Sequence, residues 1–60
     1  MDKHLRIVKA LEEINQECQI ATFILTDDFY KDLPETSLQE RFKIRLINMQ
    51  SEIEKILLLL

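Results

Sequence analysis

Glycine is missing from all 60 residues, and so is tryptophan. Without glycine the chain has no ready means of making positive-φ turns, phosphate-cradling loops or glycine hinges. A single cysteine, Cys18, excludes an intrachain disulfide. One cysteine and one histidine, His4, fall short of the four ligands that a structural zinc site takes. Proline occurs once, at Pro34, so the long stretches on either side carry no helix breaker. The closing run Ile56 to Leu60 is far shorter than the roughly 20 apolar residues that span a bilayer. No long apolar run follows the basic residues at the N-terminus, so no signal peptide is expected. The formal net charge of −3 gives no general attraction to nucleic acid or to an anionic membrane. These absences predict a cytoplasmic chain with no cofactor, no metal and no membrane contact.

What is present is periodic. Phe42, Leu46, Met49, Ile53, Ile56 and Leu60 step by four, three, four, three and four, the spacing of one helical stripe. Alternation by two fails, because Arg45 and Ile47 would share a strand face. Two start signals compete. Ser37 with Glu40 forms one capping box, and Asp32 with Glu35 forms an earlier one with Pro34 in its first turn. The helix is therefore expected to begin near Leu33 or near Leu38. Ile7, Leu11, Ile14, Cys18, Ala21 and Leu25 repeat the same steps behind a fair N-cap, Asp2. Ile20 to Thr26 has strand propensity but no second strand to pair with, so it is read as helix. One domain, 1–60, results: a helix over about 3–26, a connection over about 27–36 and a helix over about 37–60. A 24-residue helix is about 36 Å long.

The charges favour an antiparallel hairpin. Folding the chain about Lys31 sets Lys9 near Glu52 and Glu54, and Glu17 near Arg45. The apolar surface is wider than one two-helix seam, since Leu5, Val8, Ile20, Phe23, Ile24, Ile44, Ile47, Leu57 and Leu58 lie beyond the stripes. A chain this short is marginal alone, and contiguous exposed apolar area marks an interface. The expected fold is all-α: a helical hairpin that dimerises into a four-helix bundle with the two stripes as its core. The apolar last turn also suits a chain that continues past Leu60, as an oligomerisation segment of a longer protein.

Candidate chemistry is sparse. His4 and Cys18 share a stripe but lie about 21 Å apart along it, so they form no nucleophile–base pair and Cys18 reads as a small core residue. Asp27, Asp28, Asp32 and Glu35 cluster around the connection without EF-hand spacing or its glycine. Arg41 and Arg45 are one turn apart and point together, while Lys43 points away. They could touch a phosphate backbone, in an architecture that resembles the small plasmid copy-control proteins, whose helical-hairpin dimers bind RNA. The plainer reading pairs these cations with Glu17 and its neighbours.

Gln50-Ser51-Glu52-Ile53-Glu54 resembles the Ser-Gln-Glu-Leu-Asp signature of the small helical-hairpin phosphatases that act on sporulation response regulators. The first two residues are transposed and Glu54 stands where that signature has Asp. The resemblance implies a phosphatase that loses activity in Glu54→Ala. Ser37-Leu38 with Phe42, Ile44 and Arg45 looks like a stretch of the small phycobilisome-degradation adaptors, in which a second long helix follows. Each likeness covers under a fifth of the chain, and neither displaces the reading of the residues.

That reading is a non-enzymatic interaction protein, self-associating as a homodimer and engaging a larger, unidentified protein to regulate it. Phe29, Tyr30 and Leu33, with Asp27 and Asp28, are the candidate partner contacts. An RNA- or DNA-binding hairpin dimer using Arg41 and Arg45 is the alternative.

Overall fold

The computed structural model describes residues 2–60, with side chains at all of them except Phe29. Among the described residues the chain forms two α-helices, α1 (Lys3–Thr26) and α2 (Glu35–Leu59), joined through a single 3-10 turn at Asp28–Tyr30. The helices pack against each other along their length as a hairpin. The strand-prone segment ending at Thr26 is helical. Its last residue bonds its hydroxyl back to the Thr22 carbonyl at 2.8 Å, a local bond that β-hydroxyl residues make within a helix.

Asp2 caps α1 as the sequence suggests, its carboxylate accepting from the His4 backbone N–H at 3.0 Å. The start of α2 differs from both expected boxes. Pro34 is the N-cap and makes no side-chain capping bond, and the first helical bond runs from the Leu38 N–H to the Pro34 carbonyl at 3.1 Å. Ser37 lies inside the first turn rather than before it. Proline needs no N–H at this position, and its φ of −55° leads directly into helical geometry. Glu35 then places a carboxylate in the first turn, where the helix dipole favours it.

The seam is the informative part of the fold. On α1 the inward residues are Ile7, Ala10, Ile14, Glu17, Ala21 and Ile24, stepping by three and four. Ala10, Ala21 and Ile24 are the buried ones among the described residues. On α2 the half-buried row is Leu38, Phe42, Arg45, Met49, Glu52, Ile56 and Leu59. In heptad terms these rows are a and d. Half of each expected stripe is in the seam, namely the a positions Ile7, Ile14, Ala21, Phe42, Met49 and Ile56. The other half, Leu11, Cys18, Leu25, Leu46, Ile53 and Leu60, stands at e and is exposed. The short side chains of Ala10 and Ala21 let the backbones approach closely, and the Glu17–Arg45 pair occupies the remaining width. Larger side chains at e are left outside.

The result is a rod rather than a globule, 45 × 16 × 12 Å, with a radius of gyration of 14.0 Å. A compact domain of this length would have a radius near 10 Å. Among the described residues no helix is long and apolar enough to cross a membrane.

Candidate functional site

The two flanks of the seam differ in chemistry. On one flank Glu13, Glu17, Asn48, Ser51 and Glu52 line a shallow groove. It continues toward the end away from the connection as a cleft edged by Arg6, Lys9, Lys55 and Leu58. Lys9 thus faces Glu52 across the cleft, as the charge pattern suggests. Lys55 Nζ lies 2.8 Å from Glu52 Oε1. That hydrogen bond first, and the carboxylate's charge second, hold the Lys55 amine above its ordinary value.

The other flank carries the e positions. The Cys18 thiol points at the Met49 sulfur, 3.3 Å away, so the e side of α1 meets α2 at an apolar contact. Cys18 itself is exposed. Around it lie Leu11, 52% exposed, Leu25, 65%, Leu46, 48%, and Ile53, 47%. A sequence with polar residues at e would close this hairpin equally well. Apolar residues at e beside those at a widen the apolar stripe beyond one two-helix seam.

The chain exposes 4870 Å², against about 4,100 Å² for a compact monomer of 7.2 kDa, an excess that follows from the rod shape of the hairpin.

The loop end is built differently. Tyr30 folds back on the hairpin: its ring meets Phe23 edge-on at 6.1 Å, and the Arg41 guanidinium lies 5.9 Å from its centroid. Tyr30 and Leu33, expected as exposed contacts, are half-buried. Asp27 is the C-cap of α1 and gives its N–H to the Phe23 carbonyl at 2.9 Å. Asp28 is exposed. The Phe29 side chain lies outside the described part of the structure. Ile20 and Phe23 are exposed beside Tyr30 and form a smaller apolar patch off the e face.

Comparison with protein families, curated proteins and solved structures finds no match. The short likenesses to the hairpin phosphatases and the degradation adaptors therefore do not extend to a family. Within the fold, Glu52 of the phosphatase-like stretch is turned into the seam and paired with Lys55, while Glu54 is exposed on the outer side of α2. His4 and Cys18 have separate surroundings, His4 beside its cap Asp2 and Cys18 against Met49. Among the described residues no three His, Cys, Asp or Glu side chains converge as a metal-ligand set. Arg45 is engaged by Glu17 at 3.1 Å and Arg41 by the Tyr30 ring, so the pair expected to point together is divided between two intramolecular partners.

The e stripe as a face separate from the seam is what sequence reasoning missed. The signal was present: Glu17, Arg45 and Glu52 keep the three-four spacing of the seam rows, one position before Cys18, Leu46 and Ile53.

Proposed function

We propose that this protein is a small non-enzymatic interaction module. Two hairpins join through their e faces into a four-helix bundle, and the homodimer engages a larger protein in the cytoplasm to regulate it. The observation that carries the reading is the apolar e face. Leu11, Cys18, Leu25, Leu46, Ile53 and Leu60 line one flank of a hairpin whose other flank is charged. Removing these side chains from water favours association at ~25 cal/mol per Å² of apolar area, set against the entropic cost of joining two bodies. The twelve stripe residues Ile7, Leu11, Ile14, Cys18, Ala21, Leu25, Phe42, Leu46, Met49, Ile53, Ile56 and Leu60 then form the bundle core.

The larger partner would be met at the loop end. Tyr30, Phe23 and Ile20 supply aromatic and apolar contact there, beside the exposed acid Asp28, and this patch stays outside the e–e interface. Arg41 borders the patch and would serve the same surface.

The test compares two charged pairs of variants by light scattering. Leu46→Glu with Ile53→Glu is expected to leave a monomer. Asn48→Glu with Ser51→Glu, on the polar flank, is expected to leave the wild-type mass. Equal effects from both pairs would show that the e face is not the interface.

A further inference from the structure

The self-association proposed above leaves two arrangements open: connections at the same end of the bundle, or at opposite ends. We infer that the two copies pack head to tail, with α1 against α1 and the acidic connection of each copy beside the basic start of α1 in the other. The inference rests on that self-association and adds its orientation.

The first ground is charge. Asp27, Asp28, Asp32 and Glu35 surround the connection, with Lys31 and Arg41 as the cations at that end. The start of α1, residues 2–9, carries Lys3, Arg6 and Lys9 against Asp2 alone. Connections at one end would bring two acidic clusters together. Head-to-tail packing brings acid to base.

The second ground is the helix dipole. The first turn of α1 holds no acid and its last turn no base. Instead Lys3 and Arg6 lie at the start, where the dipole is positive, and Asp27 and Asp28 follow the end, where it is negative. Both placements are unfavourable within one chain. Antiparallel α1–α1 contact sets each against the opposite charge on the second copy.

The test places one nitroxide per chain in Cys18→Ala/Asp32→Cys and reads the distance between copies by pulsed dipolar spectroscopy. Head-to-tail packing predicts a separation above about 35 Å, close to the length of a 24-residue helix. A separation under about 25 Å, the width of two stacked helical layers with their labels, would overturn the orientation while keeping the dimer. No dipolar signal between copies would overturn the self-association itself.

A second measurement keeps Cys18 and reads the dimer dissociation constant at low salt. Asp28→Lys with Asp32→Lys is expected to weaken the dimer about three- to tenfold, and Lys3→Glu with Arg6→Glu to do the same. Their combination is expected to return within about threefold of wild type. A tighter dimer on reversing the aspartates alone would instead place the connections together.

Discussion

Arg45 Nη1 stands 3.1 Å from Glu17 Oε2, joining α1 to α2 across the seam. Both side chains are mostly shielded, 27% and 14% exposed. The Oε2 atom is out of water and takes no aligned hydrogen bond, so the guanidinium charge is its compensation, with a longer bond to Oε1 at 3.5 Å. A pair of this kind contributes less to stability than to register. Sliding α2 by one turn would leave Glu17 shielded and alone, and isolating such a charge is expensive.

The pair should therefore respond asymmetrically to substitution. Arg45→Ala is expected to destabilise the fold by about 1–3 kcal/mol, because it strands the Glu17 carboxylate. Glu17→Leu together with Arg45→Leu is expected to leave stability unchanged or raised, since both charges go at once. Urea unfolding at one fixed protein concentration reads both, as the stability of an associating chain depends on concentration. A double variant as unstable as Arg45→Ala would assign the pair a net stabilising role instead.

The two helix starts give a second contrast. Asp2→Ala is expected to lower stability by about 0.5–2 kcal/mol, the usual loss for a capping carboxylate. Ser37→Ala, inside the first turn of α2, is expected to change it by less than about 0.5 kcal/mol. Thermal unfolding followed by circular dichroism distinguishes them. A larger loss at Ser37 would return the start of α2 to the later capping box.

Much of this was legible before any coordinates. The two helices, the Asp2 cap and the Glu17–Arg45 contact follow from periodicity, cap chemistry and charge, all local or pairwise signals. The side of each helix that faces its partner was less legible. Apolar residues at both a and e draw the eye to Leu11 and Leu46, yet Ala10, Glu17 and Arg45 stand in the inner row. Short and charged side chains carry little hydrophobic signal, but alanine permits close approach and the ion pair fills what remains. The start of α2 was ambiguous because Asp32, Pro34 and Ser37 each carry a start signal within six residues. The inward fold of Tyr30 depends on Phe23 and Arg41, which are distant in sequence and meet only once the hairpin closes.

Cys18 offers a reporter of the e face. Its thiol is exposed in the single hairpin and would be covered in the bundle. The rate of its alkylation is expected to fall at least about tenfold as protein concentration rises through the association range, following the loss of the free hairpin by mass action. A rate independent of concentration would place Cys18 outside any interface.

The most direct measurement is the absolute mass in solution, by sedimentation equilibrium from low micromolar to near millimolar concentration. The account predicts a folded species of about 14 kDa, twice the 7.2 kDa chain, reached by mass action as concentration rises. A well-folded species that stays at 7.2 kDa across the whole range would contradict it, because the e face would then be stable in water without a second copy.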